Sequence, residues 1–128
     1  MSECEQTGIL VVDDDDMVRR LVSVSLRNAG YFVIEAGSGT EALELLSRGS
    51  MKVGMLVTDI RMPGMDGFEL VRRVRDGYPS IKVVYMTGFT DQPVEPGATV
   101  LQKPFEPDVL RKHVARSLKA SCKRSRRR

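Results

Sequence analysis

Tryptophan is absent from this chain, histidine occurs once and cysteine twice. The two cysteines, Cys4 and Cys122, lie near opposite ends and form neither a metal nor a redox motif. So sparse a thiol content points to a reducing cytosol. No apolar stretch approaches the ~18–20 residues of a membrane span. The opening MSECEQTG carries acids and no apolar centre, unlike a secretory signal. Internal repeats are also missing. Acidic residues are absent from the last ten positions, KASCKRSRRR, which hold six cations. The formal net charge is +3, so the rest of the chain is net −3. The basic character therefore belongs to the tail and not to the domain. That tail has no apolar stripe and no aromatic residue for base stacking, which argues against a nucleic-acid reader.

What is present is an ordinary folding chain. Its 128 residues suit one domain with a real core. With 41% hydrophobic and 29% charged residues it is not compositionally disordered. Two periodicities alternate. GILVV (8–12), YFVIEA (31–36), VGMLVT (53–58), KVVYM (82–86) and TVLQ (99–102) are short, continuous apolar runs, as expected of strands covered on both faces. Between them, helical spacing links Val18, Leu21, Val22, Ser25, Leu26 and Ala29; then Ala42, Leu45 and Leu46; then Leu70, Val71 and Val74. A last stripe joins Val109, Leu110, His113, Val114, Ser117 and Leu118. Ser38 with Glu41 and Asp66 with Glu69 have capping-box spacing, and Pro107 suits a first helical turn. Gly30, Gly49 and Gly77 fall where helices should stop. Five strands alternating with helices imply an α/β fold, a doubly wound parallel sheet with helices on both faces. Ligands of such sheets bind beyond the C-terminal strand ends.

That rule gives a location to the run DDDD at 13–16. Asp13 and Asp14 follow the first strand, Asp59 ends the third, Thr87 follows the fourth and Lys103 the fifth. Distant segments thus bring three carboxylates, a hydroxyl and an ammonium to one edge. The carboxylates repel one another unless a cation joins them. A hard divalent ion suits them, and Mg²⁺ commonly uses carboxylates, waters and phosphate oxygens. The hydroxyl and ammonium suit the remaining oxygens of a phosphoryl group, and a carboxylate can itself accept that group. Asp15 and Asp16 more naturally open the first helix, where negative charge meets the positive end of the macrodipole. The lone His113 sits on an apolar stripe and reads as a partly buried core histidine. The methionines Met51, Met55, Met62, Met65 and Met86 read as core filling.

VVDD after the first strand, TDIRMPGMDG around the third, MTG and KPF together resemble the receiver domains of two-component response regulators. The resemblance runs from about Ile9 to Leu118. It implies the strand order 2-1-3-4-5, which comes from the family alone; the hydrophobic pattern of this chain does not fix it. It further implies Asp59 as phosphoacceptor and Asp13 and Asp14 as the metal-binding acidic pair, with Asp59 and the Arg61 backbone carbonyl completing the metal's ligands. Thr87 is then the switch hydroxyl and Lys103 the phosphate-pairing lysine. The implied cofactor is Mg²⁺, with Mn²⁺ as an alternative. The Lys103–Pro104 bond is often cis in such domains. Partners follow: a histidine kinase or histidine phosphotransfer protein as donor, since the chain has no second histidine, and an unidentified downstream protein. The resemblance implies a cytoplasmic protein, monomeric or weakly dimeric, with no membrane or nucleic-acid partner. It is not an enzyme beyond accepting and slowly losing its own phosphoryl group. Residues 1–118 form the receiver and 119–128 a basic, disordered tail.

Two departures stand out. Val100 occupies the position, three residues before the lysine, where many receivers carry a Tyr or Phe. The stretch from Thr87 to Lys103 is short and contains Gly88, Pro93, Pro96 and Gly97, so a shortened or irregular fourth helix is expected. This version resembles the receivers of hybrid histidine kinases, yet the chain begins with Met1 and carries no kinase or output segment. It reads as a stand-alone receiver that signals by protein contact or serves as a phosphate sink. Phe89, two residues after Thr87, should obstruct water attack on the phosphorylated site. Two alternatives have their own signals. DDDMV also resembles the nucleophile motif of haloacid dehalogenase-type phosphatases, with Asp14 as nucleophile and Asp16 as acid/base, though the later acidic pair is missing. A nucleic-acid-binding module acting through the tail would show salt-dependent binding lost on its deletion.

Overall fold

In the computed structural model, which describes residues 8–49, 52–88 and 98–126, with side chains as far as 118, β1 (Gly8–Val12) buries all five of its residues. Burial on both sides of a strand requires a covered sheet. The order is β1, α1 (Asp16–Asn28), β2 (Phe32–Ala36), α2 (Gly39–Arg48), β3 (Val53–Asp59), α3 (Gly67–Gly77), β4 (Lys82–Thr87), β5 (Thr99–Gln102) and α4 (Pro107–Arg126). The five strands are parallel in the order β2-β1-β3-β4-β5, matching the order expected from the family resemblance. The segment expected to form the shortened or irregular fourth helix, with Phe89, lies outside the described residues.

Strand alternation divides the core into two layers. Ile9, Val11, Met55, Val57, Val84, Met86 and Leu101 pack with Val22 and Leu26 of α1 and with Leu110, Val114 and Leu118 of α4. Leu10, Val12, Leu56 and Tyr85 pack with Ala42 and Leu46 of α2 and with Leu70, Val71 and Val74 of α3. Asp13, Asp59 and Lys103 have the parity of the first set, so continuing each strand by its own period brings them to one side of the sheet's end.

Helix starts follow the sequence signals. Asp15 caps α1 by accepting from the N–H groups of Met17 and Val18, and Asp16 is the first helical residue. Ser38 and Asp66 cap α2 and α3 by accepting from the N–H groups of Glu41 and Glu69. The reciprocal half of each capping box does not form. Glu41 accepts instead from Gly37 N–H at 2.8 Å, and Glu69 pairs with Arg72 and Arg73. Gly49 ends α2 in the left-handed region, with φ +64°. The buried stripes are narrower than their sequence patterns, because Leu21 and Val109 are exposed. Met55, Met62 and Met86 are buried, as core filling requires, whereas Met65 is only partly buried and Met51 lies outside the described residues. The helix containing His113 does not end at Leu118, where a tail was expected; its backbone continues to Arg126.

Candidate functional site

Asp13 leaves β1 fully buried, a costly position for a carboxylate unless its oxygens are paired. Both are. Oδ1 accepts from the Asp15 N–H at 2.9 Å, and Oδ2 accepts from Lys103 Nζ at 3.0 Å. Asp59, at the end of β3, is also buried, and its Oδ2 lies 3.3 Å from the same ammonium. Asp14 is exposed beside them. One carboxylate oxygen from each of Asp13, Asp14 and Asp59 lies within 4.8 Å of the others.

Burial pushes the Asp59 carboxyl above its ordinary range, and the charge of Asp13 adds to the rise, while Lys103 opposes both. Burial alone would lower the Lys103 ammonium. Its hydrogen bond to Asp13 and the charges of Asp13 and Asp59 outweigh that and hold it up. The cluster therefore stores repulsion that one lysine only partly relieves. An all-oxygen donor set of this kind fits a hard divalent cation and not a thiophilic one.

The other expected residues lie on the same edge. Thr87 is buried at the end of β4, and its carbonyl accepts from the Lys103 N–H at 2.7 Å. The β3–β4 register pairs Asp59 with Met86, next to Thr87. Arg61 follows Ile60, whose N–H donates to the Met86 carbonyl at 3.0 Å. The Lys103–Pro104 bond is cis. Asp16 does not join the cluster. Its exposed carboxylate accepts from Arg19 Nη2 at 2.6 Å, which leaves the phosphatase alternative without its acid/base.

Two residues at this edge escaped the sequence pattern. A Cβ on Gly67 would lie 2.3 Å from the Asp59 carbonyl oxygen and 2.8 Å from Ile60 Cα. Only glycine lets the start of α3 sit this close to the phosphoacceptor candidate's own backbone. Its position in MPGMDG was visible, but the close approach was not. Arg19, on α1, donates to the Asp13 carbonyl at 2.7 Å. Nothing in the local sequence separates it from Arg20.

Comparisons with known proteins point one way. A family model described as the response regulator receiver domain matches residues 9–115. The chain is 39% identical over 103 residues to the response regulator receiver protein CpdR of Brucella abortus (strain 2308), covering 76% of this chain and 84% of that protein. It is 37% identical over 103 residues to the sensor kinase CckA of the same organism, covering 76% of this chain but only 11% of the kinase. The solved receiver domain of the hybrid histidine kinase CckA matches with a TM-score of 0.77 at 34% identity, covering 87% of this chain and 98% of that one. Among the described residues, no helix is long and apolar enough to cross a membrane.

Proposed function

Because this chain belongs to the response regulator receiver family, we propose that it accepts a phosphoryl group on Asp59 in a two-component phosphorelay, with Mg²⁺ held beside that carboxylate. The supporting observation is the buried Asp59 clustered with Asp13 and Asp14, its carboxylate sharing the Lys103 ammonium with Asp13. Asp13, Asp14, Asp59 and the Arg61 carbonyl are the residues that would hold the metal, with Mn²⁺ as an alternative. When bound, Mg²⁺ supplies positive charge to phosphoryl oxygens and offsets the repulsion among the carboxylates.

The chain's own residues account for the transfer. An ionised Asp59 oxygen attacks the phosphorus of a phosphohistidine; the P–N bond breaks, the imidazole leaves, and Asp59 becomes an acyl phosphate. Lys103 pairs with one phosphoryl oxygen and the Thr87 hydroxyl with another, fixing the in-line geometry on which such transfers depend. The donor is a separate histidine kinase or histidine phosphotransfer protein, since the chain's single histidine lies half-buried on α4. The phosphorylated form acts in the cytoplasm by protein contact or as a phosphate sink. It does so as a monomer or weak dimer, without turnover of other substrates.

Incubation with acetyl phosphate and Mg²⁺ tests the assignment. Intact-mass measurement should show one added phosphoryl group on the parent chain and none on Asp59→Asn, and Asp14→Ala should weaken Mg²⁺ binding. Equal labelling of Asp59→Asn would overturn it.

A further inference from the structure

Asp14 is the least supported member of the acidic cluster. It is exposed, and among the described residues no hydrogen bond or ion pair holds its carboxylate. Its direction is therefore set by the backbone that delivers it, above all by the Asp13–Asp14 peptide. That peptide's carbonyl accepts from Arg19 Nη1 at 2.7 Å.

Arg19 is itself held from several sides. Its Nε donates to Glu35 Oε1 on β2 at 3.3 Å and its Nη2 to Asp16. Glu35 is fixed in turn by Arg27 at 3.1 Å, and Arg27 donates to the Val33 carbonyl at 3.0 Å. On the other side of the same residue, the Asp13 N–H donates to Ala36 O at 3.2 Å. Both backbone groups of Asp13 are thus anchored to β2, one directly and one through Arg19. Gly37 leaves space for the guanidinium, whose Nη1 would lie 3.4 Å from a Cβ there.

We infer that Arg19 is a positioning residue for the metal site: it fixes the plane of the Asp13–Asp14 peptide and so aims Asp14 at the cation. This rests on the Mg²⁺-dependent reading above. A planar guanidinium is suited to the task, because its several donors are fixed relative to one another and can join a carbonyl and two carboxylates at once. Asp16 and Glu35 neutralise its charge on the outer side, so it repels the metal little. Groups that orient a metal's ligands typically matter 10–100-fold in metal affinity.

Charge and positioning predict opposite signs. If Arg19 were only a nearby cation, removing it would tighten Mg²⁺ binding. If it aims Asp14, removing it loosens binding. The experiment is calorimetric titration of MgCl₂ into the full chain. Arg19→Gln should bind Mg²⁺ about 10-fold more weakly, and Arg20→Gln, which removes the same charge without touching the loop, should bind as the parent does. Arg19→Lys keeps the charge but has one donor centre, so an intermediate loss is expected; should Arg19→Gln fail to fold, parent-like affinity in Arg19→Lys overturns the inference. Unchanged or tighter binding in a folded Arg19→Gln also overturns it, as does a fall in melting temperature with no change in Mg²⁺ affinity. If the unaltered chain binds no Mg²⁺, or Asp14→Ala binds it equally well, the metal-site reading fails and takes this inference with it.

Discussion

At Asp59 opposing influences decide the charge: burial and Asp13 favour the protonated form, and Lys103 and a backbone hydrogen bond from Ile60 favour the ionised one without prevailing. Between its unfolded and its higher folded value, Asp59 in the metal-free folded chain thus keeps a proton that the unfolded chain has already released. Stability from this residue is full below the unfolded carboxyl pKa, near 4, and is lost as pH rises through the higher folded value. At pH 7, then, metal-free Asp59→Asn should melt higher than the parent. Lys103 loses little, because it keeps Asp13 at 3.0 Å. The difference should shrink toward pH 4, and saturating Mg²⁺ should reverse it by stabilising only the parent's full carboxylate set. Melting curves with and without Mg²⁺ at pH 4 and 7 would check each sign. Asp13, Asp59, Thr87 and Lys103 could be placed from sequence because each directly follows or ends a legible strand. Arg19 could not, because its partner carbonyl and Glu35 meet it only in the folded chain.

The corner from β3 to α3 joins an element boundary to the chemistry. Gly67 N–H donates to the Ile60 carbonyl at 2.8 Å, while Asp66 caps the helix. The cap was readable from the Asp66–Glu69 spacing. The contact was not, because hydrophobic pattern and capping signals describe an element's ends and not how near two backbones pass. Gly67→Ala forces a Cβ into the Asp59 carbonyl oxygen and Ile60 Cα, and neither can rotate away as a side chain would. α3 must shift, at a cost of about 1–3 kcal/mol for overpacking. Urea unfolding should show that loss. Acetyl phosphate labelling of Asp59 should slow even in the fraction that remains folded. Parent-like stability would mean that the corner relaxes freely.

Over the whole molecule, charge is segregated: six cations occupy the last ten residues and the remainder is net −3. β5 ends at the site edge, and α4 begins just after Lys103, then packs along the sheet through Leu110, Val114 and Leu118. It therefore runs back from the site, and at 1.5 Å per residue Leu118 lies about 16 Å from Pro107 along the helix. The basic segment starts beyond that point. At physiological ionic strength the Debye length is ~8 Å, so its charge is screened from the acidic cluster; at 0.01 M the length is ~30 Å and the charge is felt. Deleting residues 119–128 should leave Mg²⁺ affinity and Asp59 labelling unchanged within about twofold in 0.15 M salt. In 0.01 M salt the same deletion should tighten Mg²⁺ binding, because a repulsive field has been removed. Calorimetry on both chains at both ionic strengths tests this directly. An equal change in affinity at both salt concentrations would mean that the segment acts on the site by contact and not through its field.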